Sequence, residues 1–350
     1  MPADDGHMNG PDAGEVASRV LGGAVESIES LKASRGRLGG VDPASAVYKV
    51  SKAGDSSVVV KSFASSDEWH GELANLTYLG EIAPEDAPKL LAAEDRVLIL
   101  EDLGPESLAT ACMKSPAECQ AGRLLWADAL AAIHTRAADA RTRLEALHRP
   151  EAQLVDTALS ADEMLEILRM IWDETRKQRM PADDLRELAA CLRELETRVA
   201  DLTAAEVVFG FHDPNPANVM LQDGQAYFVD VGGAPLGVVC RAFGEVWRAP
   251  DSVSVVDRYR RLYRALGGLL PLRSLGEEGS LFSITVCIEW LRWHLDAAPE
   301  GGIPDIDGVR HGYAAAEKRN LEEIRERAGD IEWLAPLKRA VVRLMSQPMA

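Results

Sequence analysis

The sequence predicts an α+β protein in which a small antiparallel sheet lobe with one helix precedes a larger, mainly helical lobe. Between about Leu38 and Gly104 the residues alternate in polarity and are rich in β-branched side chains, as in short strands. After Gly104, long segments rich in Ala, Leu, Arg and Glu carry apolar residues at helical spacing. The length of 350 residues is sufficient for two lobes, each with its own core.

Each lobe divides into predicted elements. Turn residues separate four strand segments of the first lobe, AVYKV, SSVVVKSF, PKLLAAE and RVLILEDL. The segment from Ser66 to Ile82 opens with Ser and Asp and spaces three leucines along one face, which predicts the helix of this lobe. The long helices of the second lobe are predicted at residues 119–140, 161–177, 181–202, 251–270 and 280–298. The predicted divisions are a flexible N-terminus at 1–20, a first lobe at 21–104 and a helical lobe at 105–350.

Charge and composition limit the classes of partner. With 38 basic and 56 acidic residues the formal net charge is −18, which disfavours nucleic acid and anionic membranes and favours a cationic ligand. An acidic surface without a binding role explains the same charge. The sequence has no secretory leader pattern and no apolar run of about 18 residues, so we expect a cytoplasmic protein. The cysteines lack metal-ligand or disulfide spacing, and we expect reduced thiols at Cys112, Cys119, Cys191, Cys240 and Cys287.

A polar segment framed by strands, VVFGFHDPNPANVMLQDGQAYFVDVGGA, is the first candidate site. Asp223-Gly224 predicts a two-residue hairpin turn, because both positions tolerate positive φ. A turn centred there places Asn218 opposite Val229, one position from Asp230. Strict alternation would put Asn218 and Asp230 on opposite faces, so a shared cation requires the strand to end or twist there. An amide oxygen and a carboxylate suit Mg²⁺.

Other residues supply the remaining parts of a phosphoryl-transfer site. Asp213, five residues before Asn218, could accept the proton of an acceptor hydroxyl. Lys61 ends an apolar strand and Glu72 lies in the following helix, so the two could form a pair that holds phosphate. Upstream, Gly36, Gly39 and Gly40 lie in a turn that could approach a nucleotide.

Each of these features also has an ordinary structural explanation. Lys61 could be a solvated strand end, Glu72 a surface helix charge, the glycines a turn, and DPNPAN a capped loop. Their order favours function, because glycine turn, strand Lys, helix Glu, Asp-x4-Asn, hairpin and Asp follow one another as in kinases.

With these parts in order, the chain resembles the aminoglycoside phosphotransferase and choline kinase-like family, small-molecule kinases with the two-lobe fold of protein kinases. The resemblance runs from about Leu38 to the C-terminal helices. The family motif H-G-D-x-H-x-x-N corresponds to Phe211-His212-Asp213-Pro214-Asn215-Pro216-Ala217-Asn218, and the family strand ending I-D-W corresponds to Phe228-Val229-Asp230-Val231. The resemblance implies that Asp213 is the catalytic carboxylate and that Asn218 and Asp230 hold Mg²⁺.

The resemblance also implies where a nucleotide binds. The backbone of LILEDLG, from Leu98 to Gly104, would receive the purine edge of ATP or GTP. Together with Lys61, Glu72, Gly39 and Gly40, which the residue pattern itself suggests, Glu101 and Leu103 of this segment complete the candidate nucleotide-binding residues. His134 in LAAIHT is expected to be a packed structural residue. Two positions depart from the family: Phe211 replaces a histidine that supports the catalytic loop, and Val231 replaces a tryptophan.

These observations favour a Mg²⁺-dependent O-phosphotransferase that moves the γ-phosphoryl group of ATP or GTP to a hydroxyl of a small molecule. A cationic antibiotic such as an aminoglycoside is the preferred acceptor, and an amino sugar, a choline-like alcohol or another metabolic hydroxyl compound is the alternative. A nucleotide-binding pseudokinase is less favoured, because Lys61, Asp213, Asn218 and Asp230 are all present. Glu289 in CIEWLRWHLD is a candidate acceptor contact, although a solvated helix face is the better-supported explanation. We expect a monomer or a homodimer.

Overall fold

A computed structural model describes most of the chain, at residues 13–22, 25–33, 45–52, 56–137, 140–156, 158–176, 179–210, 215–248, 252–276, 278–296, 303–304, 310–311, 313–329 and 331–346. The chain divides into two compact units. The first unit comprises Met1–Leu154, Phe211–Pro235 and Pro250–Gly268, and the second comprises Val155–Gly210, Leu236–Ala249 and Leu269–Ala350. The lobe boundary expected after residue 104 stays a prediction.

The described helices are α1 Ala13–Leu21, α2 Ser66–Ile82, α3 Leu108–Lys114, α4 Pro116–Arg136, α5 Ala140–Leu147, α6 Ala161–Arg176, α7 Ala182–Ala205, α8 Ser252–Ala265, α9 Gly279–Asp296, α10 Tyr313–Arg327 and α11 Ala335–Met345. The described strands are β1 Val25–Ala33, β2 Ser45–Lys52, β3 Ser56–Phe63, β4 Leu90–Glu94, β5 Val97–Glu101, β6 Val207–Phe209, β7 Val219–Gln222, β8 Gln225–Phe228, β9 Leu236–Val238, β10 Ile303–Pro304 and β11 Arg310–His311. None of these helices is long and apolar enough to cross a membrane.

The first unit contains a five-stranded sheet in the order β1-β2-β3-β5-β4, with every neighbouring pair antiparallel. One face of β3 buries Val58 and Val60 in a core cluster with Val50 of β2 and Val16 of α1. Because side chains alternate along a strand, Lys61 lies on the opposite face. The predicted α+β fold, a small antiparallel sheet with a mainly helical remainder, is confirmed.

Helix α2 forms over the residues that the sequence predicts. The Ser65 hydroxyl accepts hydrogen bonds from the backbone N–H groups of Asp67 and Glu68, at 3.1 and 3.4 Å, which caps the first turn. The buried face includes Glu72 and Asn75 beside apolar residues such as Leu76. Two polar side chains on the inner face of one helix need partners, and those partners define the site.

The N-terminal part of the sheet differs from the prediction. A flexible N-terminus was expected for residues 1–20, yet Ala13–Leu21 forms α1 and Val16 is fully buried against the sheet. Strand β1 was not predicted, because its apolar residues Val25, Ile28 and Leu31 are spaced by three, as in a helix. The β1–β2 pairing contains two register irregularities, and Ile28 and Leu31 are each 50% exposed rather than part of the core.

The second unit contains α6, α7, α9, α10 and α11 with the short β6–β9 pair. Its long helices α6, α7 and α9 begin and end within a few residues of the predicted segments. Glu206 is fully buried at the end of α7 and accepts hydrogen bonds from the backbone N–H groups of Arg273 and Ser274. This carboxylate satisfies the amide groups that begin a short 3₁₀ turn, a structural use of a buried charge.

The expectation of five reduced thiols is wrong for one pair. Cys112 in α3 and Cys119 in α4 form a disulfide, with their Cα atoms 4.0 Å apart. The short turn between the two helices brings residues seven positions apart into contact, which Cys spacing alone does not reveal. Cys191, Cys240 and Cys287 are buried and are not part of a disulfide.

Candidate active site

Lys61 of β3 lies between two carboxylates. Its Nζ atom is 2.5 Å from Glu72 Oε2 and 2.5 Å from Asp230 Oδ1. Lys61 is 5% exposed and Glu72 is 2% exposed, whereas the side chain of Asp230 is 33% exposed. Lys61 of the sheet and Glu72 of the helix therefore form a pair, and Lys61 also contacts Asp230, two residues after β8.

The two carboxylates hold Lys61 in its charged form. Burial acts to lower the pKa of Lys61, but the charges and hydrogen bonds of Glu72 and Asp230 outweigh it and keep the pKa above its ordinary value. The group of three carries one ammonium and two carboxylates, which leaves one excess negative charge. That charge is nearest to solvent at Asp230, where a cation could approach.

The hairpin forms as predicted. Residues Leu221 and Ala226 pair across β7 and β8, and the turn residues Asp223 and Gly224 have φ values of 51° and 76°. The Val229 N–H donates to the Asn218 carbonyl at 3.0 Å, so the pairing continues past the strands toward Asp230.

The backbone departs from regular strand geometry at Asn218 and at Asp230. This departure is the condition under which the two side chains could share a cation. Asp230 has a φ of 59°, in the left-handed region that few residues other than Gly adopt. On the other strand, Asn218 ends a 3₁₀ turn at Pro216–Asn218, and its side chain is buried. Alternation along a strand therefore does not separate Asn218 and Asp230. A carboxylate and an amide oxygen are donors that fit Mg²⁺, which fills its octahedron with phosphate and water.

The predicted catalytic loop is described only in its second half. Asn215 begins that part, and its side chain accepts a hydrogen bond from the Ala217 N–H at 2.9 Å. Asp213 and the substituted position Phe211 lie outside the described residues, as do the glycines Gly39 and Gly40. The roles of these four residues stay predictions.

The segment after β5 contains the predicted purine site. Glu101 is the last residue of β5, and Leu103 is buried two residues later. Between them, Asp102 accepts hydrogen bonds from Ser57 Oγ at 2.5 Å, Lys49 Nζ at 2.7 Å and the Gly104 N–H at 3.0 Å. Burial acts to raise the pKa of Asp102, but these partners outweigh it and keep the pKa low. Asp102 fixes this segment to β2 and β3, a role that the sequence did not indicate.

The predicted acceptor residue lies in the second unit. Glu289 is on α9, and its carboxylate is 3.8 Å from the Arg241 guanidinium. Arg241 also pairs with Asp156 and lies over the Phe282 ring. Glu289 is therefore partly neutralised by a neighbouring cation rather than fully solvated.

His134 is placed as expected, within the core of the first unit. Its ring is buried, and Nδ1 lies 2.8 Å from the Tyr259 hydroxyl.

Comparisons with known proteins identify the family. Residues 39–274 match the sequence profile of the Phosphotransferase enzyme family (APH), which is more than half of the 350 residues. A search of curated proteins finds no match. The chain therefore belongs to the Phosphotransferase enzyme family, and it is a small-molecule phosphotransferase.

Solved structures with a similar fold agree with this assignment. A choline kinase from Cryptosporidium parvum has a TM-score of 0.53 at 10% identity, with 90% of this chain and 93% of that chain covered. The gentamicin complex of APH(2″)-IIa has a TM-score of 0.51 at 13% identity, with 98% of both chains covered. A choline/ethanolamine kinase family protein from Mesorhizobium loti has a TM-score of 0.51 at 13% identity, with 87% of this chain and 91% of that chain covered. At such low identity the likeness establishes the protein-kinase-like fold and not the substrate.

Proposed function

We propose that the protein transfers the γ-phosphoryl group of ATP or GTP to a hydroxyl group of a small molecule in a Mg²⁺-dependent reaction. The contact of Lys61 with both Glu72 and Asp230 carries this proposal. A buried ammonium held by a helix carboxylate, next to a metal-binding carboxylate, is the arrangement that kinases use at the phosphates of a nucleotide.

Each residue of the site has a distinct task in this proposal. Lys61 binds the phosphate oxygens, and Glu72 keeps its ammonium in place. Asp230 and Asn218 would hold Mg²⁺, which neutralises phosphate charge when bound. Asp213 orients the acceptor hydroxyl and receives its proton.

The nucleotide is bound by backbone groups and glycines. The residues around Glu101 and Leu103 receive the purine edge through their backbone. Gly39 and Gly40 lie over the phosphates, where the lack of a side chain allows close approach. The three hydrogen bonds accepted by Asp102 support a fixed position for the purine site.

The preferred acceptor is a cationic antibiotic such as an aminoglycoside. The net charge of −18 attracts cations, and one neighbour in fold is a gentamicin complex. A choline-like alcohol or another metabolic acceptor is the second candidate, supported by the choline kinase neighbour. Glu289 is retained as an acceptor contact, with its charge moderated by Arg241. We retain the cytoplasm as the expected location.

The experiment that tests the function is a transfer assay read by mass spectrometry. Purified protein is incubated with Mg²⁺, ATP or GTP and a panel of aminoglycosides, choline, ethanolamine and amino sugars. We expect one acceptor class to gain a single phosphoryl group in the wild type and none to gain it in Lys61→Met. The matched control is Lys318→Met, which removes an exposed lysine of α10. Phosphorylation that persists unchanged in Lys61→Met would contradict the proposed site.

A further inference from the structure

Asn75 connects α2 to the segment that carries Asp230. It is 0% exposed and lies one turn after Glu72 on the same buried face. Its Nδ2 atom donates to the Val231 carbonyl at 2.7 Å and to the Gly233 carbonyl at 3.1 Å. Its Oδ1 atom lies 2.8 Å from Nε2 of His148, the residue after α5. One buried amide therefore makes three hydrogen bonds across three parts of the chain.

The chemistry of these groups fixes the orientation of both side chains. Backbone carbonyls only accept hydrogen bonds, so the amide NH₂ group of Asn75 must face Val231 and Gly233. The Asn75 oxygen then faces His148, whose Nε2 must carry a proton. Burial lowers the pKa of His148, which agrees with a neutral ring that donates from Nε2. His148 thereby orients the amide that holds the two carbonyls.

The segment held by Asn75 has an unusual backbone. Asp230 has a φ of 59° and Gly233 has a φ of 81°. Residues other than Gly seldom adopt the left-handed conformation, so the surrounding contacts help to maintain it at Asp230. Between them, a Cβ added to Gly232 would lie 3.3 Å from Glu72 Oε2, which shows how closely this backbone approaches α2.

Helix α2 therefore contacts the site in two places. Through Glu72 it holds Lys61, and through Asn75 it holds the two carbonyls that flank Gly232. The Lys61 ammonium contacts the Asp230 carboxylate. The distance between these two groups therefore depends both on the Glu72–Lys61 contact and on the Asn75 hydrogen bonds. Loss of the Asn75 hydrogen bonds would free the Asp230 end while the Lys61 end stayed in place.

We propose that Asn75, oriented by His148, is a positioning residue that fixes the Asp230 segment against α2 and so sets the place of the metal-binding carboxylate. The link to metal rests on the proposed function, whereas the anchoring of the segment does not. Residues that orient a metal ligand typically change metal affinity or activity about 10–100-fold when replaced.

The test uses variants that change hydrogen bonding with little change in size. Asn75→Asp replaces the donor with an acceptor that repels the two carbonyls. His148→Leu removes the donor to Asn75, and His148→Gln retains an N–H donor. His134→Leu is the matched control, because His134 is also a buried, hydrogen-bonded histidine of the first unit, but its partner is Tyr259.

The first readout is hydrogen–deuterium exchange of the peptide that spans residues 229–235. We expect at least about tenfold faster exchange in Asn75→Asp and in His148→Leu, with wild-type exchange in His148→Gln and His134→Leu. Wild-type exchange in Asn75→Asp would overturn the proposal. If that variant does not fold, equal exchange in His148→Leu and His148→Gln would overturn it.

The second readout is the Mg²⁺ concentration for half-maximal phosphoryl transfer. We expect it to rise about 10–100-fold in Asn75→Asp and in His148→Leu, and to stay at the wild-type value in His148→Gln. A loss of activity without a change in Mg²⁺ requirement would contradict the positioning role. Faster exchange in a protein without Mg²⁺-dependent transfer would leave the anchoring intact and reject the proposed function instead.

Discussion

The Lys61 ammonium and the Asp230 carboxylate lie 2.5 Å apart, although 169 positions separate them in the sequence. Lys61 comes from the central part of a sheet and Asp230 from the end of a hairpin, so only the folded first unit brings them together. Their contact joins the predicted phosphate-binding residue to the predicted metal ligand.

Removal of the Lys61 charge should cost both stability and activity. In Lys61→Met the Glu72 carboxylate stays buried without its ammonium, and breaking such a pair costs about 3–5 kcal/mol of unfolding free energy. Turnover should fall at least about 100-fold, because the phosphate charge loses its fixed counter-charge. Urea denaturation and kcat of the variant measure the two effects.

A double variant separates the two losses. Lys61→Met with Glu72→Gln removes the buried unpaired charge, so stability should recover in part while turnover stays low. Recovery of turnover together with stability would mean that Lys61 acts only through folding.

Replacement of Asp86 should stabilise the protein at neutral pH. Burial and the charge of Glu85 raise the pKa of Asp86 to about 6 from its ordinary 3.8, with Arg136 partly opposing them. The folded state binds this proton more tightly than the unfolded state, so stability falls as pH rises from about 4 to about 6. We expect Asp86→Asn to raise the unfolding free energy by about 1–3 kcal/mol at pH 7.5 and by less than half as much at pH 4.5.

Urea denaturation at the two pH values measures this effect. Asp95→Asn is the control, because the side chain of Asp95 is 76% exposed. An equal gain at both pH values in Asp86→Asn would contradict the ionisation argument.

Replacement of Asp213 should slow the chemical step alone. Asp213→Asn keeps the size of the side chain and loses the charge that accepts a proton. General-base contributions are typically about 10²–10⁴-fold, and a loose phosphoryl transition state places the loss near the lower value. Turnover at saturating nucleotide and acceptor, with the melting temperature as control, measures it. If Asp213 only caps the DPNPAN turn, Asn would serve equally well and turnover would stay near the wild-type value.

Helix caps, apolar spacing and turn residues predicted secondary-structure elements correctly where several of these local signals agreed. The Ser-Asp cap and leucine spacing gave α2 the same bounds as in the structure, and Asp223-Gly224 gave the correct hairpin register. Strand β1 was missed, because its apolar residues are spaced by three in the sequence, as in a helix. The position of Lys61 at a strand end, of Glu72 in the next helix and of Asp230 after the hairpin likewise selected three residues that the structure brings together.

Contacts that depend on the folded chain were beyond the sequence. An Asn on the apolar face of α2 was a visible signal, but its carbonyl partners lie 156 and 158 positions away. The role of Asp102 next to the predicted purine site and the Cys112–Cys119 bond were missed for the same reason. The role of each of these residues depends on its neighbours in the folded chain, and the residue type alone does not reveal it.

Metal dependence of phosphoryl transfer tests the central claim most directly. Transfer from ATP or GTP to the acceptor is measured by product mass in excess chelator and after Mg²⁺ is restored, for the wild type and for Asp230→Asn. We predict that chelator abolishes transfer by the wild type, that Mg²⁺ restores it, and that Asp230→Asn stays at least about 100-fold slower at the same Mg²⁺ concentration. Full transfer in chelator, or wild-type rates in Asp230→Asn, would contradict the claim that Asp230 holds the catalytic metal beside Lys61.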